Sequence, residues 1–217
     1  SGGTPSTNEP LFWSNEIPWI TPADLSGNRE KYVSKGRRNI SKMGLDNSSA
    51  ALLPPGSLLF SSRAPIGYIA IAQNELATNQ GFKNLIPVKS TYIDYLYYYL
   101  QSAKQDILKM ASGTTFMELS AKSFRSIPIP LPPLNEQKRI VSKLEELLSS
   151  LEKSKEQLKN ALTQINTYKE VILKQAFDGR LTEKWRREII SDTSHITSSD
   201  KKNANIKVRS FKKLQEV

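Results

Sequence analysis

The most regular feature of the sequence is an amphipathic repeat over residues 135–177. Apolar or aromatic residues recur there at alternating intervals of four and three residues. This spacing predicts one continuous helix with a coiled-coil seam, roughly 60 Å long at about 1.5 Å per residue. The seam positions, which we take as a predicted dimer interface, are Ile140, Leu144, Leu147, Leu151, Leu158, Ile165 and Ile172.

The apolar stripe is wider than a two-stranded seam, because Val141, Leu148 and Leu162 add a second flank. A stripe of this width and length is unfavourable in water, and one domain formed by residues 1–134 is too small to cover it. We therefore expect a partner helix, from a second copy or from another protein. The alternative is a helix that packs entirely within its own chain.

Short apolar runs in the first part of the chain predict strands. They cover residues 18–25, where a turn follows the strand, and residues 56–63, 66–72 and 82–88. Residues 92–110 carry apolar positions at helical spacing together with several tyrosines. We expect these tyrosines to pack against a sheet with their hydroxyls at the rim, and the alternative is a platform for base stacking. Together the elements predict an α+β domain followed by a long coiled-coil helix.

Composition divides the chain into a globular domain (1–134), a spacer or dimerisation helix (135–177) and a polar, partly disordered tail (178–217). The prolines within residues 128–133 stiffen the connection between domain and helix, which indicates that their mutual angle matters. Gly179 suits the left-handed conformation that often ends a helix. His195, the sole histidine, lies in the tail, where we expect it to be solvated.

Bulk composition excludes several classes of protein. Hydrophobic residues make up 38% of the chain, which supports one core and a large solvated segment. The absence of cysteine excludes disulfides and thiolate metal sites, and it fits a cytoplasmic location. Apolar runs are too short for a membrane span, and the first residues lack the features of a signal peptide.

The formal net charge of +10 indicates a polyanionic partner, most often nucleic acid, whereas an unspecialised basic surface is the alternative. Basic residues cluster within residues 28–42, and Arg63 falls between two predicted strands. Asn79 and Gln80 carry amides suited to adenine edges, unless they only brace a turn. The predicted DNA contacts are Arg29, Lys31, Lys35, Arg37, Arg38, Lys42, Arg63, Asn79, Gln80, Thr114 and Thr115.

The sequence contains no recognisable catalytic constellation. One histidine and no cysteine leave neither a metal cluster nor a set of nucleophile and histidine. No phosphate-binding glycine loop occurs, and the Pro-Pro pairs lack the flanking residues of an amino-methyltransferase loop. We therefore predict a protein that performs no chemistry itself and needs no cofactor or metal.

Several segments occur in the order typical of one protein family. They are GGTPST, IPWITPADL, SSRAPIGYIAIA, ATNQGF, SGTTFMELSAKSFRSIPIPLPPLNEQKRIV and KQAFDGRLTEKWR, and IPLPPLNEQKRIV is the most specific piece. Over residues 1 to about 187 the sequence resembles the specificity subunit of type I restriction–modification systems. The resemblance implies a target recognition domain on a spacer helix, double-stranded DNA as the ligand, and separate methyltransferase and restriction subunits as partners.

The chain departs from the family pattern, in which two recognition domains are held apart by two antiparallel helices. It resembles one half of such a subunit, and it begins where members have a preceding strand, so we expect an N-terminal truncation. A half subunit favours a homodimer with antiparallel helices and one recognition domain at each end. Two alternatives stay open: the specificity region of a fused restriction–methylation enzyme, and a basic coiled-coil scaffold or regulator without sequence recognition.

The resemblance also implies a docking surface for the methyltransferase subunit. We expect this surface on the charged face of the long helix, at Lys153 and Glu156, with Trp185 as an anchor beyond the helix end. Alternatively, the charges only keep the helix soluble, and Trp185 packs back on the helix end.

Overall fold

The computed structural model describes residues 2–27, 30–63, 65–113 and 117–192, with residues 189–192 given by their backbone. Two compact units, Ser1–Ser149 and Ser150–Val217, divide the chain. The strands are β1 (Ile17–Ile20), β2 (Tyr32–Val33), β3 (Arg38–Ile40), β4 (Leu58–Ser61), β5 (Ile69–Ala72), β6 (Ala77–Thr78) and β7 (Phe82–Leu85). The α-helices are α1 (Lys42–Asp46), α2 (Ile93–Ser102), α3 (Lys104–Lys109), α4 (Ala121–Arg125), α5 (Leu134–Phe177) and α6 (Glu183–Asp192). This mixture of sheets and helices, followed by one long helix, confirms the predicted α+β class.

The strands form two small sheets in the first unit. The three-stranded sheet has the order β3-β1-β6, with β3 antiparallel and β6 parallel to the central strand. The four-stranded sheet has the order β2-β5-β4-β7, in which only the β2–β5 pair is parallel. The four predicted strands are therefore present as β1, β4, β5 and β7, and the short strands β2, β3 and β6 were not predicted.

The four-stranded sheet is buried on both faces, which explains the continuous apolar run in β4. Leu58 and Phe60 pack with the helices α2, α3 and α4 in one core cluster. Leu59, between them, faces a second cluster that includes Ile20 and Phe82. Successive residues of a strand point to opposite faces, so a strand between two cores needs apolar side chains at every position.

The tyrosine-rich segment forms two helices rather than the single helix predicted for residues 92–110. Ala103 separates α2 from α3. Tyr95 and Tyr97 are buried in the core cluster against the four-stranded sheet, so the packing interpretation of the tyrosines is confirmed over the stacking platform.

The long helix begins at Leu134, one residue before the predicted start, and ends at the predicted Phe177. Its first turns belong to the first unit, where Gln137 and Val141 are buried. The domain core therefore extends into the helix beyond the proline connection.

The second unit contains the remainder of α5, a 3-10 turn at Arg180–Thr182 and α6. Gly179 has a φ of 78°, the left-handed conformation predicted for the helix stop. Arg186 Nη2 donates a hydrogen bond to Gly179 O over 2.6 Å, which fastens α6 to this turn. Part of the predicted tail is thus helical, whereas His195 lies outside the described residues. Within the described part of the chain, no helix has both the length and the hydrophobicity needed to cross a membrane.

Candidate nucleic-acid interface

Three loops in which the sequence analysis predicted DNA contacts lie next to one another in the first unit. Ser62 N donates to Gly81 O over 2.7 Å, and Leu119 N donates to Ser62 O over 2.9 Å. Ser112 and Glu118 exchange two backbone hydrogen bonds, of 3.1 and 2.9 Å. We call the residues joined in this way, 62–63, 79–81, 112–113 and 117–119, the loop cluster.

Asn79 and Gln80 differ in their roles within the loop cluster. Asn79 Oδ1 accepts a hydrogen bond from Gly81 N over 2.9 Å, so this side chain braces the turn. Gln80 is exposed, and its Oε1 accepts a hydrogen bond from Thr4 Oγ1 over 2.5 Å. The first residues of the chain thereby orient the Gln80 amide at the surface. Base contact by either residue stays a prediction.

Arg63 lies at the surface of the loop cluster and is paired with Glu118. Arg63 Nε is 3.0 Å from Glu118 Oε2, and the buried Lys83 Nζ is 3.5 Å from Glu118 Oε1. Desolvation raises the pKa of Glu118, but the hydrogen bond from Arg63 and the charges of Arg63 and Lys83 outweigh it and lower that pKa. Glu118 therefore stays ionised and holds the Arg63 guanidinium in a fixed orientation.

Arg38 stacks on Trp13 at the open edge of the three-stranded sheet. The guanidinium carbon of Arg38 lies 3.4 Å from the centre of the Trp13 ring. Trp13 in turn meets the buried Trp19 edge to face, with ring centres 5.2 Å apart. Trp13 Nε1 donates to Ser6 O over 3.0 Å, and Trp19 Nε1 donates to Gly3 O over 2.9 Å. Both rings are therefore fixed by hydrogen bonds, and Arg38 rests on a rigid support.

The N-terminal segment connects this stack to the loop cluster, a role that the sequence analysis did not identify. Gly3 N donates to Thr78 O over 2.9 Å, beside the turn that contains Asn79 and Gln80. A Cβ atom at Gly2 would overlap the carbonyl oxygen of Thr78, and one at Gly3 would overlap the backbone of Ser49 and Ala50. The Gly-Gly pair was the available signal, since adjacent glycines commonly permit close backbone approach.

Lys31 was predicted as a DNA contact but is used inside the protein. Its Nζ lies 2.7 Å from Asp94 Oδ1 and 2.6 Å from Glu145 Oε1, and its side chain is only 20% exposed. Desolvation lowers the pKa of Lys31, but hydrogen bonds to Asp94 and Glu145 outweigh it and raise that pKa. Lys31 links α2 to α5, so we leave it out of the interface.

The other basic residues of the 28–42 cluster occupy different surroundings. Lys35, Arg37 and Lys42 are exposed. Arg37 Nε is 3.7 Å from Asp24 Oδ1, and Lys42 Nζ is 3.0 Å from Asp46 Oδ1. The Lys42–Asp46 pair is exposed on both sides, and such pairs contribute little to stability. The Asp24 side chain is buried, but the Arg37 side chain is 76% exposed and 3.7 Å is a long contact, so both cations are accessible to a phosphate. Arg29, Thr114 and Thr115 lie outside the described residues.

The predicted seam of α5 divides into a covered part and an exposed part. Ile140 packs against the core cluster of the first unit, and Leu144 is half-buried, so Ile140 serves the domain core. The remaining predicted positions, Leu147, Leu151, Leu158, Ile165 and Ile172, are exposed large hydrophobic residues. Within the second unit, the described residues leave the apolar stripe uncovered.

The predicted docking residues are all exposed in the second unit. Lys153 and Glu156 lie on α5, and Trp185 lies on α6 with 61% of its surface accessible. That exposure disagrees with the alternative in which Trp185 packs back on the helix end. Their contact with a partner stays a prediction.

These features define a class of protein in which a basic α+β recognition domain is carried on a long helix with an apolar stripe. The chain belongs to the family described as the type I restriction modification DNA specificity domain, which matches residues 1–164.

Curated relatives in this family are specificity subunits. The chain is 41% identical over 158 residues to the type I restriction enzyme MjaIX specificity subunit of Methanocaldococcus jannaschii, covering 72% of this chain and 37% of that protein. It is 33% identical over 151 residues to the EcoR124I/EcoR124II specificity subunit of Escherichia coli, covering 66% of this chain and 37% of that protein. The chain thus aligns with well under half of each relative's length.

Solved structures give the same family. One, described as the structural basis of complex assembly and conformational transition of the type I R-M system, has a TM-score of 0.60 and 26% identity, covering 81% of this chain and 42% of that chain. Another, the HsdS subunit from Thermoanaerobacter tengcongensis, has a TM-score of 0.52 and 26% identity, covering 69% of this chain and 34% of that chain.

Proposed function

We propose that this chain recognises a specific double-stranded DNA sequence for a type I restriction–modification system. It directs a separate adenine methyltransferase subunit, and with it a restriction subunit, to the target, and it performs no catalysis itself. In this proposal the chain acts on DNA in the cytoplasm. The observation that carries the proposal is the loop cluster, because loops far apart in sequence present Arg63 and the Gln80 amide at one surface.

Electrostatics support the same assignment. The formal net charge of +10 favours a polyanion, and the exposed Lys35, Arg37 and Lys42 lie close in sequence to the stacked Arg38. Phosphate contacts of this kind position a protein on the duplex, while groups such as the Gln80 amide and the Arg63 fork recognise base edges.

Selection from randomised duplexes tests the proposal. The full chain should enrich one short motif, and the enriched duplex should bind at least about tenfold more tightly than random DNA, since specific binding typically exceeds nonspecific binding by far more. A basic coiled-coil scaffold would retain duplexes without enriching any motif, and that result would contradict the proposed function.

The working form in this proposal is a homodimer with antiparallel helices. The uncovered stripe on α5 supports it. Leu158, for example, is 72% exposed, and burying apolar surface drives association. A second copy supplies the same stripe, and a two-fold axis between antiparallel helices makes the contact self-complementary. Two identical domains related by that axis would recognise inverted copies of one half-site.

The methyltransferase subunit is proposed to dock on the charged face of α5 and on α6. Lys153 and Glu156 have opposite charges that can set register, and Trp185 offers a large exposed aromatic anchor. Co-purification tests this assignment. Combined reversal, Lys153→Glu with Glu156→Lys, and Trp185→Ala should each weaken the complex, whereas Lys169→Ala on the same helix should not. If every variant still co-purifies with the methyltransferase subunit, the docking surface does not lie on α5 or α6, and the recognition domain becomes the expected site.

A further inference from the structure

Arg38 differs from the other described basic residues nominated for DNA contact in what holds it. Lys31, Arg37, Lys42 and Arg63 each form an ion pair with a carboxylate, and Lys35 is an exposed lysine on a flexible stem. In the part of the chain that the structure describes, the Arg38 guanidinium contacts the Trp13 ring and no carboxylate. Arg38 is exposed, and among the described residues its side-chain N–H groups have no hydrogen-bond acceptor, so they are available to a ligand.

The support beneath Arg38 is rigid. The Trp13 indole is fixed by its hydrogen bond to Ser6 O and by its edge contact with Trp19. Trp19 is 5% exposed, and its backbone pairs with that of Arg38 in the register between β1 and β3. Backbone and side chain of Arg38 are both anchored to the same pair of tryptophans, so little conformational entropy remains to be lost when the guanidinium binds a ligand.

We propose that Arg38, oriented by the Trp13 ring, recognises a guanine in the DNA half-site. A planar guanidinium fork with free donors matches the O6 and N7 acceptors of guanine, which is the commonest specific contact in the major groove. Trp13 acts as a positioning residue, because it holds the fork in place without touching the base. The inference rests on the proposed function and adds one base identity to it.

A phosphate oxygen is the other acceptor that a guanidinium fork recognises, and the two sources differ in what they predict. A guanine contact strengthens binding to one sequence, whereas a phosphate contact strengthens binding to every duplex and adds to the salt dependence. The geometry favours guanine because a rigid, stacked fork is suited to a target at a defined position. Lys35, exposed and on a flexible stem, provides the matched control for a phosphate contact.

The experiment compares wild type, Arg38→Ala, Arg38→Lys, Trp13→Ala, Trp13→Phe and Lys35→Ala in the full chain. Each is used both in selection from randomised duplexes and in titrations of the wild-type motif and a random duplex. Arg38→Ala should bind the motif about 5- to 150-fold more weakly, the range of a bidentate base contact. Its binding to random DNA should stay within about threefold of wild type, and its selected motif should lose one guanine in each half-site.

The remaining variants separate positioning from folding. Arg38→Lys should behave like Arg38→Ala, because an ammonium lacks the planar fork. Trp13→Ala should lose part of the same selectivity, and Trp13→Phe should retain most of it, since a phenyl ring still supports the guanidinium. Random-duplex binding and thermal melting verify that each variant is folded.

Three results would overturn the inference. The first is an equal loss on motif and random DNA for Arg38→Ala, matching Lys35→Ala, which would identify a phosphate contact. The second is an unchanged motif selected by Arg38→Ala, and the third is normal selectivity in Arg38→Lys. If the wild-type chain enriches no motif, the proposed function is wrong, and so is this inference. If wild type enriches a motif but Arg38→Ala selects the same one, only this inference is wrong.

Discussion

The side-chain oxygen of Gln137, on the first turns of α5, accepts a hydrogen bond from the backbone N–H of Tyr92 over 2.8 Å. The Gln137 Nε2 donates to Ser90 O over 3.1 Å and to Pro132 O over 2.8 Å. Gln137 is fully buried, and both polar atoms of its amide have backbone partners. One side chain thus ties the start of α2, the proline connection and the start of α5 together.

The tyrosines of α2 complete this attachment. Tyr95 Oη donates to Pro130 O over 2.7 Å, and Tyr99 Oη donates to Pro128 O over 2.5 Å. Proline lacks an N–H donor and fixes its own φ angle, so the stiff segment presents its carbonyls in a fixed row that the tyrosines bind. In the first unit, the domain therefore controls the direction in which α5 starts.

Gln137→Ala tests this attachment. The substitution removes a buried side chain and leaves the part-buried Tyr92 N–H and Pro132 carbonyl without these partners, so we expect the free energy of unfolding to fall by about 1–3 kcal/mol. Urea unfolding followed by circular dichroism measures it. Lys138→Ala, on the exposed neighbouring position, should change stability by less than about 0.5 kcal/mol. Equal effects for the two variants would show that Gln137 does not hold the connection.

The ion pair between Lys31 and Asp94 predicts a dependence of stability on pH. Desolvation raises the pKa of Asp94, but the hydrogen bonds from Lys31 and Tyr32 and the charge of Lys31 outweigh it and bring that pKa below its usual 3.8. Because the folded pKa is depressed, this stabilisation is present above pH 3.8 and is lost as the pH falls through the folded value. Asp94→Asn should therefore flatten the fall in stability below about pH 4.

Lys31→Met gives the complementary test of the same pair at neutral pH. Asp94, whose side chain is 7% exposed, would keep its charge without its cation, and we expect a loss of about 1–3 kcal/mol in the free energy of unfolding. Lys42→Met removes an equal charge from an exposed pair and serves as the control. If the two substitutions cost the same, Lys31 has no structural role beyond that of a surface lysine.

The strands with the strongest patterns could be predicted from the sequence, and the short ones could not. Leu58, Leu59 and Phe60 form a run whose every position is apolar, which is diagnostic because the strand lies between two cores. By contrast, β2 and β3 are two and three residues long. Strands that short carry no periodicity, and both lie within the basic stretch of residues 28–42, which contains no apolar run.

The candidate site was predicted unevenly for a similar reason. The loops containing Arg63 and Asn79 were nominated by residue type, and their meeting depends on β4 and β7 pairing in the fold. Lys31 and Arg38 look alike in sequence, since both are cations in one cluster. Their different surroundings, Asp94 for one and the Trp13 ring for the other, arise from residues distant in the chain and could not be read from local composition.

Dimerisation should be sensitive to charge in the exposed part of the seam. Leu151→Asp and Leu158→Asp would each bury an unpaired carboxylate, so the dimer dissociation constant should rise at least about tenfold. Sedimentation equilibrium measures this constant. Asn160→Asp adds the same charge at an exposed position off the stripe, and it should leave association unchanged. A wild-type chain that stays monomeric at micromolar concentration would refute the homodimer.

Phosphate and base contacts should separate in a salt titration. Arg37→Ala should weaken binding to all duplexes and reduce the slope of log K against log salt concentration by about 0.9, the value for one phosphate. Arg63→Ala and Asn79→Ala should instead cost roughly 1–3 kcal/mol on the selected motif and little on random DNA. If both variants bind the selected motif as tightly as wild type, Arg63 and Asn79 do not contact bases.

A genome-wide map of adenine methylation, made with and without the gene, tests the central claim most directly. Two identical recognition domains related by a two-fold axis predict gene-dependent sites built from one half-site and its inverted copy, separated by a spacer of fixed length and any sequence. A gene-dependent map with two unrelated half-sites would contradict the homodimer as the working form. A map that does not change when the gene is removed would contradict the assignment of this chain as the subunit that selects the target.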